Sequence, residues 1–544
     1  MQRRAVESCI IAGAALALIA TSCGLAWRAA AEVGPTFDEV SHLPAGYSYV
    51  REGRIVLNPQ HPPVVKWLAG VSVWLWRKDL AMDRRFIDGT PPPAQPGEMQ
   101  LGPEWEFGRR FLFGQPDDND RTMAGAILRR GRLPNILGLA LLMVLVFSWS
   151  RSLFGNLGGL VSLALCAVCP NLLGHSALVT FDAPLTVAYL GTIYAFWRWT
   201  ERPSRVRLVL AGAALGTSLA VKFTAIFLLP TLGALLALKA WQGGRGTWLR
   251  WSLGAAGAGA VALVVLWACY GFPRDPGFYL DGLRRVNADH NPDMRGYLQG
   301  RFYKGMDWTY YLVGLVVKVP IGSLVVLQLS LLGLILRRHS LVREAFLLLP
   351  ALFFFGATTL LSDPLGFRYA LPALPLLFVF AGRVAWSLPR GVWWGAGCLA
   401  VLVWSAVSSW RQAPHFLGYF NEIAGGPEGG HEWLDDSNVD WGGGLPALRR
   451  WLDARQIEEI HLFWPWWSIP AGYYLKDPIE HQPGDWFFLD PVPPGLYVVS
   501  KHFAIRMKSE QESRGLQAPR FPRQVQLEAN LPFGFFVYRS SSSR

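Results

Sequence analysis

Charge is what this sequence has least of. Only 17% of its 544 residues are Asp, Glu, Lys or Arg, against 51% hydrophobic residues and 25 tryptophans. The length is too great for one ordinary soluble domain, and so little charge beside so much apolar sequence suits a multi-span membrane protein. A mean hydropathy of +0.24 suits a chain whose surface faces lipid. Cysteine is scarce too. All six (Cys9, Cys23, Cys166, Cys169, Cys269, Cys398) lie in or beside apolar runs, which excludes a disulfide framework in the polar segments. Cys166-x-x-Cys169 has a redox or metal spacing but lies inside an apolar run, where small thiols serve as packing residues. No internal repeat is evident, which tells against an inverted-repeat transporter. The net charge of +12 would suit nucleic acid, but the bases sit between apolar runs and read as membrane orientation signals. The first apolar run follows Arg3-Arg4, as a signal peptide would. It lacks a small-x-small cleavage site, and its length of about 20 residues suits a retained span.

What is abundant is apolar sequence in span-sized pieces. About 11 spans of ~20 residues are expected, near 8–28, 133–150, 157–173, 176–197, 206–222, 224–241, 249–271, 311–336, 344–362, 368–388 and 391–410. With a cytoplasmic amino terminus, one set of loops holds Arg3 and Arg4, Arg151, Arg198 to Arg207, Lys239, Arg245, Arg250, Arg337, Arg338, Arg343 and Arg390. The opposite short loops hold far fewer bases. The expectation is a mostly α, multi-pass protein of the cytoplasmic (inner) membrane, with its carboxyl-terminal part outside. Three long polar segments then face outward: 29–132, 272–310 and 411–544. Residues 1–410, including the loop 29–132, form the membrane domain, and 411–544 a small extracytoplasmic α/β domain. Val64 to Trp76 is apolar but too short to cross, and reads as an interfacial helix. Pro91-Pro92-Pro93 and Asp117 to Asp120 read as exposed loops. In the tail, the stretches from His461, Gly495 to Ser500 and Phe533 to Tyr538 read as strands, and Leu445 to Arg455 as a helix.

Several ions stand where a span meets the outer side, and such placement carries a cost. Asp38-Glu39 follows the first span. Adjacent carboxylates in an extended segment point opposite ways, which gives them separate roles. One would act as base or acceptor-orienting anion in a sugar transfer while the other holds a neighbouring base or metal. A solvated loop pair is the plain alternative. His61-Pro62-Pro63 and Lys66 open the interfacial helix, where they can grip a phosphate, or merely start the helix with a snorkelling lysine. Asp182 and Lys222 lie at outer span ends. Lys318 lies within a span, and Arg368 opens one on the outer side, where its guanidinium fork can take phosphate oxygens. The Asp435 to Asp440 stretch could hold a cation or sugar hydroxyls, or be a turn. It lacks the spacing of an EF-hand loop.

Together Phe37-Asp38-Glu39, His61-Pro62-Pro63, Arg132-Leu-Pro134, Thr180-Phe-Asp182-Ala-Pro184, Lys318-Val-Pro320 and Arg368-Tyr369 resemble the GT-C polyprenyl-phosphate-sugar glycosyltransferases. The likeness is to family 39, with the protein O-mannosyltransferases, lipid A aminoarabinose transferase and rhizobial-type galacturonosyltransferases. The phrase Tyr419-Phe-Asn-Glu422 … Asp436-Ser-Asn-Val-Asp440-Trp441-Gly442 looks like bacterial members. The resemblance implies transfer of a sugar, hexose or pentose, from a polyprenyl phosphate to a lipid, glycan or protein on the outer face. It implies that Asp38, Glu39 and Asp182 are the catalytic acids. It makes Arg368, Lys66, Lys222, Lys318 and His61 the donor-phosphate residues. The tail has no recognisable β-trefoil insert, so the acceptor stays open. So do the sugar and any divalent cation. The alternative is a transporter or flippase of lipid-linked sugars. It requires ions through mid-bilayer, where only Lys318 approaches.

Overall fold

The computed structural model describes residues 2–92, 102–288, 294–336, 341–387, 392–516 and 519–540. Its first half runs α1 (Gln2–Glu32), α2 (Phe37–Glu52), α3 (Val64–Trp76), α4 (Pro103–Phe113), α5 (Met123–Ala167), α6 (Pro170–Ser176), α7 (Asp182–Glu201), α8 (Arg205–Leu219), α9 (Leu228–Gly243) and α10 (Trp248–Cys269). Then come α11 (Phe278–Ala288), α12 (Tyr310–Lys318), α13 (Ile321–Leu336), α14 (Leu341–Leu361), α15 (Leu374–Ala381), α16 (Val384–Ser387) and α17 (Val392–Trp410). Leu16, Leu137, Leu253 and Leu352 stay exposed on the bundle, as lipid-facing residues must.

Eleven spans were expected. Among the described residues five helices are long and apolar enough to cross a membrane, or six if the bent pair α12–α13 is one span. The shortfall has two sources. One expected span and most of a second fall within α5, which is interrupted at Gly155, where φ is +78° and only glycine is comfortable. Others fall on shorter or more polar helices such as α7 and α8. These pack against one another through the Thr192 and Ser218 hydroxyls, 2.8 Å apart, so their polar groups are satisfied inside the bundle. The expected loop bases Arg337, Arg338 and Arg390, and Pro93, lie outside the described residues.

The α12–α13 pair bends by 113° at Val319-Pro320, where proline cannot continue the hydrogen-bond ladder. The freed carbonyls are not left bare. Asn421 Nδ2 donates to Val316 O at 2.6 Å and Val319 O at 2.8 Å, and Asn171 Nδ2 donates to Lys318 O at 2.6 Å. This explains part of the Tyr419-Phe-Asn-Glu422 phrase: its asparagine seals a broken helix.

Segments 29–132 and 411–540 meet at one end of the bundle. Val40, Leu43, Val73 and Phe111 share a buried cluster with Trp441, Leu445, Leu462, Val498 and Phe535. Helices α2 and α3 cross at Gly46 and Gly70, where a Cβ on either would run into the partner's backbone. Residues 295–304 form a hairpin, β1 (Arg295–Leu298) with β2 (Arg301–Lys304). The tail carries a sheet of order β4-β3-β5-β7-β6, built from β3 (His461–Phe463), β4 (Ile479–His481), β5 (Gly495–Ser500), β6 (Gln526–Leu531) and β7 (Phe535–Ser540). Strands β3, β4 and β5 run parallel, while β7 is antiparallel to β5 and β6. The expected tail domain does not separate at 411. Phe416, Phe420, Leu434 and Val439 are buried in the bundle's own core, and the sheet unit follows the helix Leu445–Asp453.

Candidate active site

Asp38 and Glu39 occupy the first turn of α2, not an extended segment. Helical geometry turns successive side chains by about 100° rather than 180°, and here it sends one inward and the other to a cavity. The first turn forms because Thr36 and Glu39 make a capping box. Glu39 is fully buried against Arg132, also fully buried, at 2.6 Å. It further accepts from Val179 N at 2.7 Å and Thr36 N at 3.0 Å. Arg132 spends its other donors on the carbonyls of Ala30, Val33 and Gly34. The pair therefore joins the end of α1, the start of α2, α5 and the turn before α7. Glu39 does not line the cavity, contrary to its expected catalytic place.

The cavity has a volume of about 680 Å³, and Asp38, His42, His61, Asp182, Lys222, Arg368 and Tyr369 are in its walls. Asp182 is the first residue of α7, and Lys222 follows α8. Arg368 lies in the 3₁₀ turn Phe367–Ala373. Arg198 closes α7 and Arg205 opens α8, so the site lies at the helix ends opposite this loop of bases. Arg368 Nη1 is 3.0 Å from Asp38 Oδ2 and 3.8 Å from Asp182 Oδ2. Lys222 Nζ donates to Asp182 Oδ1 at 2.7 Å. Two acids and two cations thus alternate along one wall. The guanidinium lies over the Trp441 ring, 3.9 Å from its centroid, and Lys222 lies 4.5 Å from that of Tyr369. Arg368 Nε has no hydrogen-bond partner among the described residues, so a buried cationic donor is left over for a ligand. The Asp38 side chain is a quarter exposed, onto the cavity. Burial lifts its carboxyl above the ordinary range, with the Arg368 cation opposing.

Of the residues assigned to phosphate, Arg368, Lys222 and His61 line the cavity. Lys66 and Lys318 do not. Lys66 is fully buried beneath it and donates to Asn58 O at 2.5 Å and His61 O at 2.8 Å, pinning the loop that carries His61. Lys318 donates to Leu417 O at 2.7 Å and Asn438 O at 2.9 Å, tying the bundle to the tail. Both cations are consumed by carbonyls, a use that composition does not reveal.

The Asp435 to Trp441 stretch is a brace. Asp435 is held by Arg506 at 2.7 Å and His502 at 2.9 Å. Asp440 accepts from Ser500 Oγ at 2.5 Å and Trp466 Nε1 at 3.2 Å. Ser437 Oγ donates to Leu365 O at 2.6 Å, and Asn438 Oδ1 accepts from Phe367 N at 3.0 Å. These bonds fix the backbone on which Arg368 sits, and Trp441 fixes its plane. Among the described residues no group of three or more His, Cys, Asp or Glu is placed to hold a metal ion. Sequence reasoning missed His42, Trp105 and Tyr369 as cavity residues and Trp441 as the platform of Arg368. For His42 a signal existed: it stands four residues after Asp38, on the same face of a helix.

Residues 123–270 match the family model of the dolichyl-phosphate-mannose-protein mannosyltransferases. The structure superposes on ArnT from Cupriavidus metallidurans bound to undecaprenyl phosphate with a TM-score of 0.51 and 14% identity, covering 97% of this chain and 98% of that one. A second similarity is to the oligosaccharyltransferase of Archaeoglobus fulgidus in the apo form, with TM-score 0.48, 12% identity, and 89% and 69% of the two chains covered. No curated protein matches this sequence.

Proposed function

We propose that this chain, whose fold is that of the GT-C glycosyltransferases, moves a sugar from a polyprenyl-phosphate donor to a hydroxyl of a lipid, glycan or protein. The observation that carries the reading is the alternation of Asp38, Arg368, Asp182 and Lys222 along one cavity wall. A sugar leaving a phosphate needs a cation for the charge that grows on the leaving oxygen, and a base for the acceptor's proton. Arg368 and Lys222 supply the cations. Asp38 supplies the base, and burial raises its proton affinity above that of an ordinary carboxylate, which favours taking a hydroxyl proton.

The acceptor oxygen bonds to the anomeric carbon, the carbon–oxygen bond to phosphate breaks, the phosphate keeps the electron pair, and Asp38 receives the proton. Before the donor arrives, Asp38 is neutralised by Arg368. A phosphate drawing on the guanidinium competes for that positive charge and leaves Asp38 a freer anion for the acceptor. Asp182 holds Lys222 in place and adds negative potential that keeps Arg368 from swinging wholly to the phosphate. ArnT holds undecaprenyl phosphate in its solved structure, which supports a lipid of that class here.

We place the cavity on the outer face of the cytoplasmic membrane, with the amino terminus inside. The basic residues at the far ends of α7 and α8 support that orientation. The test is the purified, reconstituted protein given radiolabelled undecaprenyl-phosphate sugar and a bacterial envelope extract. The reading expects label on an acceptor. Movement of the intact labelled lipid between leaflets without transfer would replace it with a flippase.

A further inference from the structure

His42 stands one helical turn after Asp38 on α2, roughly 6 Å along the same face, and both line the cavity. It is 2% exposed. Its ring is set edge-on against His61 and Phe181, with centroids 5.1 Å and 4.6 Å away. Nδ1 lies 3.2 Å from Asn58 Oδ1, and that same atom receives Lys66 Nζ at 3.3 Å. An atom that accepts from lysine is an oxygen, and Ser41 Oγ, also 3.2 Å from Nδ1, gives its own proton to Asp38 O at 3.1 Å, so both neighbours of Nδ1 accept and the ring proton is assigned there. Nε2 is then a lone pair. It is buried and has no hydrogen-bond partner among the described residues. Burial first, and the Lys66 cation second, hold the imidazole's pKa down to about 3, which keeps Nε2 an acceptor at neutral pH.

Three neighbours in the same walls repeat the pattern. Gln60 Nε2 donates to Glu104 Oε1 at 2.7 Å, which leaves Gln60 Oε1 unpartnered. Thr180 Oγ1 and Trp105 Nε1 are likewise buried and unpartnered among the described residues. The space beside Asp38 therefore offers two acceptors, one hydroxyl and one indole N–H, next to the apolar ring of Phe181. Sugar hydroxyls answer this set, because each both gives and takes a hydrogen bond. A carboxylate only accepts, so two of these four atoms, His42 Nε2 and Gln60 Oε1, would give it no proton, and Glu104 stands behind Gln60.

We propose that His42, Gln60, Thr180 and Trp105 form the subsite for the transferred sugar ring and select a neutral, hydroxyl-rich sugar over a uronate. The proposal rests on the polyprenyl-phosphate reading and deepens it. One turn from the base is the distance at which the far side of a ring would sit, were its anomeric carbon near Asp38.

The test is binding to the full-length protein in nanodiscs. The probes are undecaprenyl phosphate alone, the same lipid carrying glucose, mannose or galactose, and the lipid carrying galacturonate. At least one hexosyl lipid should bind about tenfold tighter than the bare lipid, as one or two well-placed hydrogen bonds allow. The galacturonosyl lipid should gain nothing. His42→Leu should erase the hexose gain and leave bare-lipid binding unchanged, while His42→Gln, which keeps an acceptor, should retain part of it. A uronate bound as tightly as the best hexose overturns the proposal. So does His42→Leu weakening the bare lipid equally, since His42 would then be only a support of the fold. Bare lipid bound with no gain from any hexose refutes the subsite alone. A protein that binds none of the lipids refutes the donor reading as well.

Discussion

Glu39→Gln should unsettle the protein, and Asp38→Asn should not. The two residues are neighbours in sequence with opposite surroundings. The Glu39 carboxylate receives five donors: Arg132 Nε at 2.8 Å, Arg132 Nη2 at 2.6 Å, Val179 N at 2.7 Å, Thr36 N at 3.0 Å and Thr36 Oγ1 at 3.1 Å. Both partners of the ion pair are wholly buried. A glutamine amide, whichever way it turns, puts its NH₂ against at least two of these donors and leaves Arg132 an unpaired buried cation. Loss of one partner of such a pair costs about 3–5 kcal/mol. Asp38 has one direct contact, Arg368, which retains Asp182 nearby, and its replacement costs about 1 kcal/mol. Thermal unfolding followed by tryptophan fluorescence in detergent separates the cases. The Glu39→Gln midpoint should fall well below that of Asp38→Asn, while its remaining folded fraction keeps turnover. Equal midpoints, or a Glu39→Gln protein as stable as the parent with no turnover, would refute the division of roles.

Three further outcomes follow from the same geometry. Arg368→Gln should weaken undecaprenyl phosphate binding by about 100-fold, the scale of losing one buried charged donor, as read by calorimetry or competition. Undiminished affinity would move the phosphate elsewhere. The base is the anionic form of Asp38, and its proton affinity is raised by burial and held down in part by Arg368 and Lys222. Transfer should therefore fall as pH drops through that raised value, and Lys222→Met should move this acid limb to higher pH. A shift to lower pH contradicts the assignment. Lys318→Met should lower stability without changing donor affinity, because its ammonium donates to the Leu417 and Asn438 carbonyls and lies over the Phe420 ring, away from the cavity. A selective loss of donor binding would restore Lys318 to the phosphate site.

Much of the site was legible in the sequence because ions are costly beside lipid. Asp38, Asp182, Lys222 and Arg368 stand out at span ends, and the fold brings all four to one cavity. What stayed hidden is what depends on local geometry. Reading the segment of Asp38 and Glu39 as extended gave them opposite faces, whereas the helix start turns Glu39 into the core and leaves Asp38 outside it. Lys66 and Lys318 look like phosphate ligands until their carbonyl partners are seen. Those carbonyls come from turns, around Asn58 and Asn438, that no residue pattern announces. The tail's β4 is only three residues long, Ile479-Glu480-His481, too short to show the alternation that marked β5 and β7.

The central claim is that Asp38 takes the proton from the acceptor during sugar transfer from a polyprenyl phosphate. Single-turnover transfer from labelled undecaprenyl-phosphate sugar, by reconstituted parent and Asp38→Asn proteins of equal folded content, tests it most directly. The account predicts a rate lower by 10²–10⁴-fold, roughly the scale of a lost general base, with donor binding retained. An Asp38→Asn protein that transfers sugar at the parent rate would contradict it.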